Sequence, residues 1–499
     1  MMVRLKQNPA SVFGILGVYF LAQICVRLLL PHSLELDESA QIFYAQWPSL
    51  GYDTQPPFYN WVQTAVLTVV GTSVFSLALV KNTFLFLTYL FFGLAAMRMV
   101  RSKELAVVAV FGILTIPQLV FESQRDLTHS VAAVFASALF IFALVSTLDR
   151  PSWKSYAVLG LSVGIGFLSK YNFALLPAAA FLAVLFDTEF RRRLIDLRIL
   201  IAALVASLVI LPHALWLLNH LDLATQGTLN KLEGAGTSSK LLQIATGTAS
   251  LFGALLGFAG LTFSIFLILY GRKLQETLGL DNRWSLLLGR IMLAAIGLLL
   301  LLILITDSTN IKDRWLSPIF PVLALYFATK LDQLDSRETS LLARIWPLAK
   351  FILVAMPLVM LLRVPAHGWL GDYTKLNLNY DAALQEASRH APVEPTVILA
   401  SDVHLAGNLR LLKPNTQVVV NGYRALTGPI ERRESTLVLV MWRAQKESDM
   451  PDSARSWLAA AGEPRSYTGQ TVAVPYNYGR DGDTFMFGYA FVWIDPKAP

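Results

Sequence analysis

The sequence predicts a polytopic α-helical membrane protein with a C-terminal extramembrane α/β domain. Of its 499 residues, 55% are hydrophobic and only 15% are charged, and the mean hydropathy is +0.53. Several apolar runs approach or exceed the roughly 18–20 residues that a helix needs to cross a bilayer. From about residue 363 the pattern changes to short β-branched runs that alternate with amphipathic helical segments.

The charge distribution supports the membrane prediction. The net charge is +7, and the basic residues fall at the ends of apolar runs and not in one patch. This distribution is typical of cytoplasmic loops and argues against nucleic-acid binding. Cys25 is the single cysteine, so no disulfide can form within the chain. The first apolar run, about residues 12–30, is too long for a signal core and is expected to be an uncleaved span.

The basic flanks predict about 11 spans, with the N-terminus in the cytoplasm and the C-terminal domain outside. Residues 156–186 are too long for one span and too short for two, yet both of their flanks are basic. We therefore expect two short helices that meet at Ser169–Asn172, which places Lys170 on the outer side. Residues 61–72 are expected to form an interfacial helix. A further outer loop is expected at residues 219–240.

These spans divide the chain into two predicted domains. Residues 1–362 form the membrane domain, with an outer loop at 31–81, and residues 363–499 form the outer α/β domain, which has a usual domain size. In that domain the strand candidates are "TVILAS", "TQVVVN", "TLVLVMW", "TVAVPY" and "MFGYAFVWI", and the helix candidates are "DAALQEASRH" and "SARSWLAAAG". We find no sequence repeat of the kind that indicates an inverted-repeat transporter.

Charged side chains collect at the outer ends of the predicted spans, whereas the spans themselves are mostly free of charge. The candidates are Asp37, Glu38, Arg125, Asp126, His129, Lys170, His213, His220 and Arg314. A proton-coupled or ion-coupled transporter usually needs ionisable groups near the middle of the bilayer. An enzyme that works at the outer interface needs them at the ends of its spans, so the distribution favours an enzyme.

Spacing within this set suggests which residues meet, and each suggestion has an alternative. Asp126 and His129 are three apart and share a face if a helix has begun there, and the two histidines of the seventh span are seven apart. Arg125 and Asp126 are alternatively a surface ion pair, and the histidines are alternatively interfacial. Tyr52 and the other aromatic residues of the first loop fit an interfacial belt, or they line a lipid or sugar groove.

The mixed set of acids and bases suits one reaction class. In this class a hydroxyl attacks a sugar carbon whose leaving group is a lipid phosphate. The hydroxyl needs a carboxylate as general base, and the departing phosphate needs cations or hydrogen-bond donors. A lipid donor explains why the site lies at the membrane surface. The sequence contains no HExxH motif or cysteine cluster, so no metal site is predicted.

The order of motifs resembles a known family. "LELDE", then "GYDTQPPFYNW", then an interfacial helix and a basic-ended span are similar to the GT-C glycosyltransferases. The resemblance is to the bacterial group with protein O-mannosyltransferases and lipid A aminoarabinose transferases. Together with "RDLTHS", these motifs look most like the uronic-acid transferases that modify lipopolysaccharide. The resemblance extends to about residue 330.

The resemblance implies an inner-membrane enzyme without a soluble cofactor. Such an enzyme moves a sugar from a polyprenyl-phosphate donor to a hydroxyl of a periplasmic acceptor, with inversion. The acceptor is lipopolysaccharide, another lipid, a glycan or a protein. Asp37 matches the family's catalytic acid, with Glu38 beside it, and either Asp126 or His129 matches the second catalytic position.

The resemblance also implies residues that bind substrate. Lys170 is expected to hold the donor phosphate, together with Arg125 and Arg314. Gln55 stands before the di-proline where a basic residue is common in the family, so direct phosphate contact there is in doubt. The remaining substrate-binding candidates are Gln55, Tyr52, His129 and His213.

Two rival hypotheses come from other functional classes. A transporter or flippase of lipid-linked sugars would form no glycosidic bond. A non-catalytic partner would use the outer α/β domain as a binding module. The transporter hypothesis predicts that Asp37→Asn is tolerated if that acid is only structural. The partner hypothesis predicts that deletion of the residues after Arg363 abolishes function, whereas Asp37→Asn does not. The other acids of the first loop, Glu35 among them, are expected to be surface residues.

Overall fold

The computed structural model describes residues 2–221, 239–277, 279–334, 340–423, 434–445 and 449–496. Most of the outer loop expected at 219–240 therefore lies outside the described residues. The chain forms two compact units. The first consists of Met1–Gln23, Leu50–Tyr59 and Lys81–Met356, and the second consists of Ile24–Ser49, Asn60–Val80 and Pro357–Pro499.

Helices dominate the described residues. In chain order they are α1 (Met2–Gln7), α2 (Ser11–Leu29), α3 (Leu36–Tyr44), α4 (Phe58–Val70), α5 (Val74–Met99), α6 (Lys103–Ile113), α7 (Ser123–Arg125), α8 (Thr128–Asp149), α9 (Trp153–Ser169), α10 (Leu175–Leu185), α11 (Ile199–Leu218), α12 (Lys240–Glu276), α13 (Arg283–Thr306), α14 (Val322–Leu331), α15 (Leu341–Leu370), α16 (Tyr380–Arg389), α17 (Val403–Leu412) and α18 (Asp452–Ala461).

Seven of the described helices are long and apolar enough to cross a membrane: α2, α5, α8, α11, α12, α13 and α15. A bent pair, α6 with Gln118–Arg125, makes an eighth candidate. The eleven predicted spans each coincide with a helix, but α9, α10 and α14 have only 17, 11 and 10 residues. These three are shorter than a full crossing usually requires.

The predicted break within residues 156–186 is confirmed. α9 stops at Lys170, whose backbone is extended (φ −165°, ψ 131°), and a 3₁₀ turn, Tyr171–Ala174, leads into α10. A Cβ added at Gly166 would lie 2.1 Å from the ring of Phe173. Glycine at this position therefore makes room for the turn to fold back against α9.

The predicted span at residues 105–121 is bent. α6 and the following segment differ in direction by 68°. Pro117 stands directly before the π-helical turn Gln118–Glu122. Proline cannot donate a backbone hydrogen bond and clashes with the preceding turn, so a regular helix does not continue through it.

The predicted α/β domain belongs to the second unit and is confirmed as a sheet with helices. Its strands are β1 (Val397–Ala400), β2 (Gln417–Val420), β3 (Thr436–Arg443), β4 (Glu463–Pro464), β5 (Gln470–Pro475) and β6 (Thr484–Asp495). The order is β2-β1-β3-β6-β4, and β5 also pairs with β6. β1 is parallel to β2 and β3, whereas β6 is antiparallel to its neighbours.

The sheet owes its stability to a buried apolar core. All four residues of β1 are buried, as expected of a parallel strand covered on both faces. Trp442 of β3 and Trp457 of α18 join the same cluster, together with Met450. α17 provides the crossover between β1 and β2 and also packs against α3 within the second unit.

Candidate active site

Helix α3 carries Asp37 and Glu38 in its first turn, and α17 fixes the point at which it begins. The amide of Leu34 donates to Oδ1 of Asn408 at 2.9 Å. The carbonyl of Leu34 accepts a hydrogen bond of 2.8 Å from Nε2 of His404. Both partners lie on α17, so residues more than 300 positions later in the chain position the start of α3.

Two buried ion pairs hold the same helix. Nη2 of Arg27 lies 2.9 Å from Oε2 of Glu38, and Nη2 of Arg363 lies 2.8 Å from Oε1 of Glu35. None of these four side chains is more than 12% exposed. The prediction that the other first-loop acids are surface residues is wrong for both glutamates. A carboxylate buried this deeply needs a paired cation, and the two arginines supply it.

Asp37 is half-buried beside these paired acids. Gly407 of α17 lies so close to α3 that an added Cβ would be 2.1 Å from the carbonyl oxygen of Ser39. Only glycine permits this approach without a shift of one helix. Asp37 is therefore presented by a short helix whose start, side-chain pairs and packing face are all fixed. We name this arrangement, formed by Arg27, Arg363, His404, Gly407 and Asn408 around residues 34–39, the α3 clamp.

His404 acts in the α3 clamp as a neutral imidazole. Its Nε2 donates to the carbonyl of Leu34, and its Nδ1 is 3.2 Å from the hydroxyl of Tyr380, which is placed to donate. The side chain is 4% exposed. Burial lowers the pKa of His404 to about 4, with the Leu34 carbonyl acting in the opposite direction.

This burial predicts acid sensitivity of the second unit. The unfolded chain binds a proton at His404 below its ordinary pKa of 6.5, whereas the folded protein binds it only near pH 4. Stability is therefore fully present above pH 6.5 and is lost as the pH falls, by about 2 kcal/mol at pH 5. Thermal unfolding of the purified protein at pH 7 and pH 5 measures this loss. His404→Gln cannot take up the proton, so its unfolding should depend less on pH, and an unchanged pH dependence would contradict the assignment.

In the first unit, Asp126 lies just before α8, and His129 lies in the first turn of that helix. Leu127 has a positive φ of 69°, and Asp126 has a non-helical backbone (φ −156°, ψ −143°). The predicted shared helical face is therefore wrong, because α8 begins at Thr128, after Asp126. The imidazole of His129 lies near the ring of Tyr59, with centroids 6.3 Å apart.

Arg125 is exposed and forms an ion pair with Glu122, with Nη2 and Oε2 2.9 Å apart. These side chains are 46% and 34% exposed. An exposed pair of this kind contributes about 0–1 kcal/mol, so the guanidinium can exchange its partner for another anion at little cost.

Lys170 lies where α9 ends, and its Nζ donates to Oγ of Ser130 at 2.9 Å. Ser130 is in the first turn of α8, next to His129. This hydrogen bond brings the predicted phosphate-binding lysine to the loop that carries the second catalytic candidates. Ser130 is not among the residues predicted from the sequence, although the motif "RDLTHS" contains it.

His213 joins two further parts of the first unit. It is 1% exposed, and its Nε2 lies 2.9 Å from the hydroxyl of Tyr171. Its Nδ1 lies 2.9 Å from the carbonyl oxygen of Leu50. Both ring nitrogens are thus engaged within the protein. His213 positions the turn after Lys170 against the beginning of the 50–59 segment.

The 50–59 segment is also packed against α11. Tyr52 is buried and Gln55 is half-buried. A Cβ at Gly51 would lie 2.3 Å from the ring of Trp216, which stacks on His220 with centroids 4.3 Å apart. α11 ends at Leu218, before His220, yet Trp216 also stacks on His213, with centroids 5.5 Å apart. The two histidines therefore flank the same indole ring, as the prediction of a common face requires.

Arg314 lies on the exposed side of a 3₁₀ turn, Asp313–Leu316. Within the described ranges its guanidinium makes no hydrogen bond or ion pair. Asn172 donates to the carbonyl of Trp315 at 2.8 Å. This bond ties the Arg314 turn to the break that carries Lys170. On its other side, Nε2 of Gln118 donates to Oδ2 of Asp313 at 2.8 Å.

Three hydrogen bonds, Lys170–Ser130, Tyr171–His213 and Asn172–Trp315, therefore join the break after α9 to the start of α8, to α11 and to the Arg314 turn. Asp37 and Glu38 belong to the second unit. Over the described parts of the chain, no three or more His, Cys, Asp or Glu side chains group as metal ligands. A cationic, hydrogen-bonding environment of this kind can hold a phosphate, and a half-buried carboxylate can accept a proton.

Comparison with known proteins identifies relatives along the whole chain. Residues 54–216 match the family model "Dolichyl-phosphate-mannose-protein mannosyltransferase". The chain is 41% identical over 488 residues to the lipopolysaccharide core galacturonosyltransferase RgtB of Rhizobium johnstonii, covering 98% of each protein. It is 39% identical to the core galacturonosyltransferase RgtA of the same organism, covering 97% of each.

The fold is also that of a solved structure. The crystal structure of ArnT from Cupriavidus metallidurans bound to undecaprenyl phosphate matches with a TM-score of 0.60 at 12% identity. The match covers 97% of this chain and 98% of ArnT. At this identity the likeness concerns the fold, whereas the two galacturonosyltransferases are similar throughout their sequences. The chain therefore belongs to the GT-C family of multi-pass membrane glycosyltransferases that includes RgtA and RgtB, and it is itself a glycosyltransferase.

Proposed function

We propose that the protein transfers a uronic-acid residue from a polyprenyl-phosphate donor to a hydroxyl group of lipopolysaccharide. The observation that carries this proposal is the 41% identity to a lipopolysaccharide core galacturonosyltransferase over 98% of both chains. The undecaprenyl phosphate bound to ArnT supports a lipid phosphate as the carrier. The proposed location is the bacterial inner membrane, with the reaction and the C-terminal domain, residues 363–499, on the periplasmic side.

The proposed reaction is a single displacement at the anomeric carbon. Asp37 accepts the proton of the acceptor hydroxyl while its oxygen attacks the sugar. The new glycosidic bond forms as the bond between the anomeric carbon and the phosphate oxygen breaks. The electron pair leaves with the polyprenyl phosphate. Attack from the side opposite to the leaving group inverts the anomeric configuration.

We assign cationic side chains to the polyprenyl phosphate, which is the leaving group. Lys170 and Arg314 bind the polyprenyl phosphate, and Arg125 assists by exchanging its exposed partner Glu122 for the phosphate. This assignment rests on charge and accessibility. Arg314 is exposed without an ion pair among described residues, and its turn is hydrogen-bonded to the turn that follows Lys170. Positive charge near the departing oxygen stabilises the transition state more than the ground state.

The remaining candidates receive supporting roles. Either Asp126, just before α8, or His129, in its first turn, provides the second catalytic position. His213 orients the Lys170 turn through the hydroxyl of Tyr171. Gln55 and Tyr52 bind the sugar or the lipid head from the 50–59 segment. Glu38 acts through its ion pair with Arg27, which holds the helix that carries Asp37.

Two measurements test the proposed function. Mass analysis of lipopolysaccharide from a strain without the gene should show the loss of one hexuronic-acid residue, restored by the wild-type gene. Purified protein in detergent should then add that residue to the deficient lipopolysaccharide when a polyprenyl-phosphate uronic acid is supplied. A transporter has no second compartment in detergent and forms no bond there. An unchanged lipopolysaccharide mass, or failure of the detergent reaction, would contradict the proposal.

A further inference from the structure

A cavity of about 270 Å³ lies within the first unit, between α8, α9, α10 and α11. Its walls are almost entirely apolar, and they include Phe140, Leu144, Leu159, Val163, Phe181 and Val184. This volume is close to the lower end of the roughly 300–1,000 Å³ usual for small-molecule pockets. Because its walls are apolar helices of a membrane protein, the available occupant of such a space is a hydrocarbon chain.

The cavity lies at the end of α9 opposite to Lys170. Its wall on α9 runs from Tyr156 to Val163, near the start of that helix, whereas Lys170 lies at the other end. At 1.5 Å per residue, Tyr156 and Lys170 are about 20 Å apart along the helix. The cavity is therefore separate from the group assigned to the donor phosphate.

One end of the cavity carries unpaired positive charge. Arg193 lines it, and Arg191 and Arg192 are exposed on the same 3₁₀ turn. Within the described residues none of the three arginines forms an ion pair. Arg193 donates only to the carbonyl of Leu148, at 3.4 Å.

The neighbouring acids each form their ion pair with a different arginine, although Asp196 also interacts electrostatically with Arg193. Asp187 lies 2.7 Å from Arg290, Glu189 lies 3.2 Å from Arg283, and Asp196 lies 2.7 Å from Arg198. The arginine turn is therefore a positively charged edge beside an apolar cavity.

Thr147 provides a second, independent sign of a ligand. It lines the cavity and is 2% exposed, and its Oγ1 has no hydrogen-bond partner among the described residues. A helical threonine commonly donates to the carbonyl four residues earlier, and a buried hydroxyl without a partner is costly. An acceptor atom from a bound molecule would satisfy this hydroxyl.

We propose that the cavity binds one acyl chain of an anionic glycerophospholipid. The chain fills the apolar space between the four helices. The phosphate lies against Arg193 and its neighbours, and an ester carbonyl of the lipid accepts a hydrogen bond from Oγ1 of Thr147. The arginine turn, the Thr147 hydroxyl and the apolar space then face the phosphate, the ester and the acyl chain, in the order in which these groups occur in a phospholipid.

Native mass spectrometry of the full-length protein in detergent, titrated with phosphatidylglycerol, tests the site. Ala180 is buried in the cavity wall, and Ala180→Leu should weaken lipid retention about tenfold or more by filling the cavity. Arg193→Gln should weaken it about tenfold through loss of a charge-assisted contact. Thr147→Val should weaken it about fivefold through loss of one hydrogen bond. Zwitterionic phosphatidylcholine should be retained less than phosphatidylglycerol.

Matched controls keep the test decisive. Ala178→Leu changes an exposed residue on the same helix, and Arg272→Gln changes an exposed arginine at the end of α12. Both should retain the lipid as the wild type does. If Ala180→Leu fails to fold, lipid retention by Arg193→Gln tests whether the site binds the lipid. Wild-type retention by Ala180→Leu and Arg193→Gln, equal retention of phosphatidylcholine, or displacement by undecaprenyl phosphate would each overturn the proposal.

Discussion

Asp37→Asn is expected to lower the rate of sugar transfer by about 10²–10⁴-fold, the usual contribution of a general base. The amide is nearly isosteric with the carboxylate but cannot accept the acceptor's proton. Asp37 lies in the first turn of a helix held by two ion pairs and by α17. The substitution should therefore leave the fold intact. Single-turnover assays with saturating donor and acceptor, read by the mass of the lipopolysaccharide product, measure the effect.

The adjacent glutamate provides the matched comparison. Glu38→Gln leaves Arg27 buried without a counter-charge, and breaking a buried pair in this way costs about 3–5 kcal/mol. This variant should unfold at a lower temperature, whereas Asp37→Asn should unfold like the wild type. Undiminished turnover by Asp37→Asn would remove Asp37 from the reaction. A large loss of thermal stability in Asp37→Asn would assign it a structural role instead.

Lys170→Met is expected to lower kcat by about 10²–10³-fold, the range found when one donor to a developing negative charge is removed. Methionine keeps the length and apolar character of the stem but loses the ammonium group. Because charge on the phosphate oxygen grows as the sugar departs, kcat should fall more than the apparent affinity for the donor. Initial rates at varied concentrations of the polyprenyl-phosphate donor separate the two effects.

Lys154 offers a control on the same helix. It is exposed in the first turn of α9, at the end opposite to Lys170, and Lys154→Met should leave kcat unchanged. Lys170→Arg keeps the charge in a different geometry and should restore only part of the rate. Equal losses of kcat in Lys170→Met and Lys154→Met would show that net charge, and not a specific phosphate contact, determines the rate.

Local patterns in the sequence predicted most of the secondary structure. The β-branched runs "TVILAS" and "TLVLVMW" became buried neighbouring strands, because such residues fit a pleated, covered surface. The length of residues 156–186, between two basic flanks, predicted the break at Lys170. These features depend on neighbours in sequence, which a single sequence displays directly.

Contacts over long sequence separations could not be predicted in this way. Glu35 looked like an ordinary loop acid, because nothing near it in the sequence indicates Arg363 as its partner. In the same way, nothing near Leu34 indicates that His404 binds its carbonyl group. The prediction that Asp126 and His129 share a helical face failed for a local reason. Leu127 between them has a positive φ, and the helix begins only after it. Spacing predicts a shared face only when both residues are already helical.

The α3 clamp changes how one rival hypothesis can be tested. The hypothesis of a non-catalytic partner predicts that deletion of the residues after Arg363 abolishes function, whereas Asp37→Asn does not. The same deletion removes His404, Gly407 and Asn408, which fix the helix that presents Asp37. Loss of function after truncation would thus follow from either hypothesis, and point substitutions at Asp37 are the informative test.

The clamp also defines how parts can be exchanged between relatives. A chimera that joins residues 1–362 of this chain to the C-terminal domain of another family member would pair its own α3 with a foreign α17. The close approach at Gly407 and the hydrogen bonds to Leu34 leave little tolerance for mismatched surfaces. The module for grafting is therefore the whole second unit, residues 24–49, 60–80 and 357–499. These three segments have to be transferred together, although they are far apart in the sequence.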